Sequence, residues 1–157
     1  MKRTLLLGAL VSAFLIGSIS CKKCTVAEED TVSGTIVPNT IVYASSGYLT
    51  ENVPINVFNG ESSQYPDRFE ISFDGGLTRV AMDYSAYTIL ANPMTINCKA
   101  SFEKSVTIDA GNNIIRYKVI ATTCESCKQE RFVENYVVVE NIPSNYTVLF
   151  EQEINPS

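Results

Sequence analysis

The chain of 157 residues contains no histidine and no tryptophan. Without histidine it lacks the usual general base near neutral pH and the commonest metal ligand. A Ser-His-Asp or Cys-His arrangement is therefore excluded, as is a histidine-held hydrolytic zinc. Without tryptophan there is no buried Trp of the antibody-type core. Charged residues are sparse, at 18%. No stretch longer than two turns repeats at 3.6 residues, no glycine-rich phosphate loop precedes a helix, and no internal repeat marks a propeller or solenoid. Carboxylate-only chemistry remains, but the acidic residues are scattered through turns and strand edges. The expectation is a non-enzymatic protein with no catalytic residue and no metal.

What is present begins at the N-terminus. Lys2 and Arg3 precede a largely apolar stretch, Leu5 to Ile19, interrupted only by small residues. The run is short for a membrane span and has the layout of an export signal. It ends in Ser18-Ile19-Ser20-Cys21, which resembles the end of a bacterial lipoprotein signal. That family usually has leucine where Ser18 stands. The resemblance implies a helical signal peptide over residues 1–20, cleavage before Cys21, and a diacylglyceryl thioether plus an N-acyl group on Cys21. Apart from that covalent lipid, no cofactor is expected. At about 0.8 kcal/mol per buried CH₂, three acyl chains give tens of kcal/mol, a firm anchor. Lys22 rather than Asp follows the cysteine, which in Gram-negative lipoproteins implies the outer membrane; either face of it remains open.

Cleavage would leave 137 residues, enough for one domain with a real core. Of twelve basic residues, Lys2 and Arg3 go with the signal, leaving ten against seventeen acidic residues, a formal charge of −7. That balance argues against nucleic acid as a partner. Residues 21–32, with Lys22, Lys23 and Glu28-Glu29-Asp30, read as a tether, and residues 33–157 as a single domain.

That domain reads as all-β. Val, Ile, Thr, Tyr and Phe fill short runs separated by Gly, Pro, Asn, Asp and Ser. Met94 to Phe102 alternates through nine positions, the strongest strand signal, with Cys98 on its apolar face. Val53 to Val57 alternates, with Pro54 suggesting an edge or strand start. Phe69 to Phe73 alternates and stops at Asp74-Gly75-Gly76, where glycines supply positive φ. Val137-Val138-Val139 does not alternate and suits burial on both faces. Val106 to Ala121 resembles a pattern in immunoglobulin-like domains of bacterial surface proteins, in which a Gly-Asn corner joins two strands. The resemblance implies an antiparallel immunoglobulin-like β-sandwich. It puts left-handed backbone at Gly111 and Asn112 where the chain crosses between sheets, and an inward row of Ile115, Tyr117, Val119 and Ala121. An up-and-down barrel is the second architecture.

With Cys21 acylated, Cys24, Cys98, Cys124 and Cys127 remain, an even number that in an exported chain reads as two disulfides with three connectivities. Cys124 and Cys127 fall between two strand-like runs and are expected at a hairpin tip. The favoured pairing joins Cys98 to that tip, about 3 kcal/mol in the chain-entropy model. Cys24 then takes the other tip thiol or stays free; alternatively Cys124 and Cys127 close on each other. A redox dithiol would need a helix N-terminus, and a zinc site a second close pair.

Ser72-Phe73-Asp74-Gly75-Gly76-Leu77-Thr78 resembles the S-x-D-x-G-x-T core of the Asp-box hairpin of sugar-active propellers, with Arg79 where the family has an aromatic. In one copy it implies a folding role, Asp74 and Thr78 bonding the loop's own backbone. Tyr43, Tyr48, Tyr65, Tyr84 and Tyr87 lie in or near loop-like segments with small polar neighbours and are the candidates for a recognition surface. The sequence thus points to a membrane-anchored binding or scaffolding module of the cell envelope with a protein or glycan partner. A carrier of carbohydrate or another small ligand is the alternative.

Overall fold

The computed structural model describes residues 30–44, 56–59, 69–97, 99–123 and 129–156, which form twelve strands and no helix. The longest pair is antiparallel, β8 (Ala100–Asp109) with β9 (Ile114–Thr123). β1 (Thr31–Gly34) runs parallel to β8, and β12 (Thr147–Pro156) parallel to β9, giving the order β1-β8-β9-β12. Thr147 starts beside Ile114 because its amide donates to the Asn113 carbonyl at 2.8 Å. This sheet is therefore mixed, where a wholly antiparallel one was expected.

The second sheet system is one bent ladder. β6 (Tyr87–Ala91) pairs with β11 (Tyr136–Glu140), and β7 (Met94–Asn97) with β10 (Glu130–Val133), in a register that continues unbroken across the gap. The gap is where Asn92-Pro93 faces Glu134-Asn135. There the Asn92 amide still donates to the Asn135 carbonyl at 2.8 Å, and the Asn135 side chain donates to the Asn92 carbonyl at 3.3 Å. β3 (Val57–Phe58) joins the free side of β6. In the third sheet β4 (Phe69–Ser72) lies between β2 (Ile41–Ala44) and β5 (Val80–Ala81).

The sheets stack with this bent ladder in the middle. Leu90, Met94, Ile96, Val137 and Val139 pack with Phe102, Val106, Ile115, Tyr117, Val119 and Ala121 of the mixed sheet. Ile89, Ala91 and Val138 point the other way, onto Phe58, Phe69, Ile71 and Met82. Adjacent residues of β6 and β11 thus enter opposite cores. This explains the unalternating Val137-Val138-Val139, which is buried throughout as expected. The inward row Ile115, Tyr117, Val119 and Ala121 is likewise buried. The described residues are all-β in packed layers, and none of their sheets closes as a barrel.

Three local expectations are corrected. Gly111-Asn112 is not a corner between sheets: Asp109 and Ile114 pair, so the segment is the tip of the β8–β9 hairpin. Asp109 caps that tip, its carboxylate accepting from the Asn112 amide at 3.2 Å and side chain at 2.7 Å, and Asn113 takes the left-handed backbone with φ 53°. The Met94–Phe102 run is not one strand. It splits into β7 and β8 in different sheets, so the chain crosses between Asn97 and Ala100. Nor do the strands flanking Cys124 and Cys127 form a hairpin: β9 pairs with β8 and β12, whereas β10 pairs with β7. The connection from Thr123 to Glu130 is a second crossing between the same two sheets.

A buried polar knot sits at the bend. The Asn92 side chain donates to the Glu151 carbonyl at 2.9 Å and, more weakly, to that of Tyr117 at 3.4 Å, and accepts from the Gln152 amide at 2.7 Å. The Asn92 backbone amide and the Tyr117 hydroxyl both donate to the Asn135 carbonyl, at 2.8 and 3.1 Å. Burial pushes the Tyr117 phenol far above its ordinary range, so it remains a neutral donor. Apart from the exposed Gln152, the bonds of this knot join groups that could not otherwise leave water cheaply. It locks the bend of the middle ladder onto β9 and β12.

Candidate functional site

Two turns meet at one end of the stack. Asp83 organises the first: its carboxylate accepts from the Ser85 amide at 2.9 Å and hydroxyl at 2.6 Å, and its carbonyl accepts from the Ala86 and Tyr87 amides. The Ser85 bonds hold the Asp83 carboxyl below the usual carboxylate range. The second is Asn141–Tyr146, closed by the Tyr146 amide on the Pro143 carbonyl at 3.0 Å. The Asn141 amide donates to the Ala86 carbonyl at 3.0 Å, and its side chain more weakly to that of Ser85 at 3.4 Å. These bonds staple the turns together.

Between them lies a groove of about 550 Å³, lined by Tyr84 from the first turn, Asn141, Ser144 and Tyr146 from the second, and Val57 and Val148 among its apolar walls. Its volume is in the range of small-ligand sites. Tyr84 is half-buried against one core and Tyr146 against the other, so packing fixes both rings. The hydroxyls of Ser144 and Tyr146 have no side-chain partner among the described residues. Among the described residues, no charged side chain lines the groove. A second cavity, of about 530 Å³, is walled almost wholly by residues 32–40. Its Thr40 hydroxyl already donates to the Val37 carbonyl.

Of the described tyrosines expected on a recognition surface, Tyr84 alone lines the groove. Tyr43 sits under the Arg79 guanidinium, 3.7 Å from its ring centroid, and Tyr87 packs on Phe73 at 5.2 Å. Tyr48 and Tyr65 lie outside the described residues, as do Cys21, Cys24, Cys98, Cys124, Cys127 and the signal segment. Sequence reasoning missed Tyr146 and Asn141. Pro143-Ser144-Asn145-Tyr146 carries the same signal, a tyrosine among small polar residues, that selected the other five.

Asp74 bonds the backbone of its loop as expected, but the Thr78 hydroxyl donates to the Asp74 carboxylate instead of bonding backbone, and the Ser72 hydroxyl accepts from the Gly76 amide at 2.8 Å. The Asp74 carboxylate accepts from the Leu77 and Thr78 amides at 3.0 Å each and from the Ser72 and Thr78 hydroxyls at 2.6 Å each. Gly75 and Gly76 take φ of 73° and 100°. The Ser72 and Thr78 hydroxyls, with these amides, hold the carboxyl far below its usual range. Those oxygens are committed to the loop. Among the described residues, no three acidic or cysteine side chains converge as metal ligands would. No family model, curated protein or solved structure matches the chain.

Proposed function

We propose that this chain is a lipid-anchored lipoprotein of the outer membrane, acting as a non-enzymatic binding or scaffolding module of the cell envelope. The observation that carries the proposal is Ser18-Ile19-Ser20-Cys21 at the end of a basic-then-apolar leader. Among the described residues pairing begins at Thr31, and the nine residues between Cys21 and Thr31 reach about 30 Å when extended. The layered all-β body behind it is read as an immunoglobulin-like sandwich, on its face-to-face packed sheets and the buried row Ile115, Tyr117, Val119 and Ala121. A binding role rather than catalysis is supported by the absence of histidine. It is supported too by the carboxylates of Asp74, Asp83 and Asp109, each spent on its own turn. Mass spectrometry of the native N-terminal peptide tests the anchor: a triacylated Cys21 is expected, and Cys21→Ala should move the protein to the soluble fraction. An unmodified N-terminus, or unchanged membrane retention of the variant, overturns it.

The same proposal includes a disulfide from Cys98 to Cys124 or Cys127. Its support is the pairing of their described neighbours. Asn97 is opposite Glu130 and Ala100 opposite Thr123, and Cα atoms so paired lie about 4.5–5.5 Å apart, within the span a disulfide bridges. Peptide mapping without reduction should recover Cys98 linked to the Cys124–Cys127 peptide. Recovery of Cys98 as a free thiol refutes the bridge.

A further inference from the structure

We propose that the groove between the Asp83–Ala86 turn and the Asn141–Tyr146 loop binds a neutral saccharide. Such a ligand supplies the chemistry of the binding role above and rests on that role, though not on the lipid anchor. Three observations converge on it. The groove carries two tyrosines whose rings are held by packing against separate cores. Aromatic rings fixed in this way offer apolar area to the C–H faces of a pyranose at low entropic cost. Around them the polar lining is of amide and hydroxyl type, Asn59, Asn141 and Ser144 with the tyrosine hydroxyls, and these groups both donate and accept, as sugar hydroxyls require. The Ser144 and Tyr146 hydroxyls are open to such a partner.

The third observation is charge. The chain is acidic, with seventeen Asp and Glu against twelve Lys and Arg, yet the described residues that line this groove are uncharged. An anionic sugar would find no cation among the described lining residues and would meet Glu140 in the adjoining cavity, which shares Asn141, Ile142, Pro143 and Tyr146 with the groove. A cationic ligand would find no carboxylate among the described lining residues. Neutral hydroxyl-rich ligands suit it without burying an unpaired charge. The walls are also preformed, since Asn141 is bonded to Ser85 and Ala86 and Thr147 to Asn113. Little ordering is then required on binding.

The test is calorimetric and NMR titration of the full-length purified protein with neutral gluco-, galacto- and manno-oligosaccharides, and with oligogalacturonate as the charged control. One neutral series should bind, oligogalacturonate at least about tenfold more weakly. Tyr146→Ala and Tyr84→Ala should each weaken binding by about tenfold or more, and Tyr146→Phe by less than Tyr146→Ala. Amide spectra of each variant establish that it is folded. Tyr146→Phe and Ser144→Ala leave the packing intact, so they keep the test decisive if an alanine variant unfolds. Failure of every neutral series to bind, preference for the charged control, or unchanged binding in folded groove variants overturns the proposal. Those results leave membrane retention through Cys21 untouched, and loss of retention in Cys21→Ala leaves the titration untouched.

Discussion

Replacing Asn92 with alanine tests whether the polar knot holds the bent ladder to the mixed sheet. The side chain is 1% exposed. Truncation removes a good bond to the Glu151 carbonyl, a long one to the Tyr117 carbonyl, and the acceptor of the Gln152 amide. It leaves the backbone bond of Asn92 to Asn135 in place. At about 1 kcal/mol for the good bond, somewhat less for the long one, and a further penalty for carbonyls left dry, the loss is about 2–3 kcal/mol. Gln152 is exposed and re-enters water, so its share is small. With a urea m-value of about 2 kcal/mol/M for a domain of this size, the unfolding midpoint should fall by about 1 M or more.

Asn92→Asp sharpens the test, because the shape is kept while the donor is lost. The introduced carboxyl would face two carbonyl oxygens. Only its protonated form can donate to them, so its deficit should grow as pH rises above about 4. The alanine deficit should stay flat over the same range. A midpoint shift below about 0.3 M for Asn92→Ala, or parallel pH profiles for the two variants, would refute the knot as a joint between layers.

Two further substitutions and one pH titration probe other layers of the fold. Gly34 has φ 86°, and a Cβ there would overlap the Val106 carbonyl oxygen across the β1–β8 pair. Gly34→Ala should therefore cost about 1–3 kcal/mol, and it should raise amide exchange at Thr35, which donates to that oxygen. Unchanged exchange would count against the close approach. Thr88 is fully buried with its hydroxyl unpartnered, so Thr88→Val should raise stability by about 0.5–1 kcal/mol in urea unfolding. A loss would point to a hydroxyl that is satisfied. Hydroxyls and amides lower the Asp74 carboxyl in the folded chain. Its support is therefore present above the unfolded value of about 3.9 and lost as pH falls through the lower folded value. Leu77 and Thr78 amide shifts should hold their folded positions at pH 3, and a transition centred near pH 4 would refute the Asp74 cap.

Strand content and the doubly buried valines were legible in the sequence because burial on one face or two leaves a direct trace in hydropathy. Where the chain changes sheets was not. In the Met94–Phe102 run the even-numbered residues enter the same core before and after the crossing, Met94 and Ile96 from one side, Ala100 and Phe102 from the other. Facing sheets preserve the period of two, so alternation cannot distinguish one long strand from two that meet across a core. The turn at Gly111-Asn112 misled for a related reason. Residues suited to a left-handed backbone serve a hairpin and a corner equally, and only the pairing of Asp109 with Ile114 decides between them. Parallel pairing of β1 and β12 leaves no local mark either, since it depends on where those strands enter the sheet.

The groove was half legible, and the missing half follows from how it is built. A tyrosine among small polar residues identifies a loop with a wet aromatic, which selected Tyr84, in the groove, together with Tyr43 and Tyr87, which lie outside it. Tyr43 is taken by Arg79, a residue far along the chain, and Tyr87 by Phe73. What makes Tyr84 different is the Asn141–Tyr146 loop brought against it by the Asn141 amide on Ala86. That bond is a consequence of the β6–β11 register, in which Tyr87 faces Glu140 and so carries the next residues outward together. A one-residue slip of that register would turn each β11 side chain to the other core and part the two turns. Site and fold therefore share one determinant, and variants that disturb the register should lose the groove and the doubly buried ladder together.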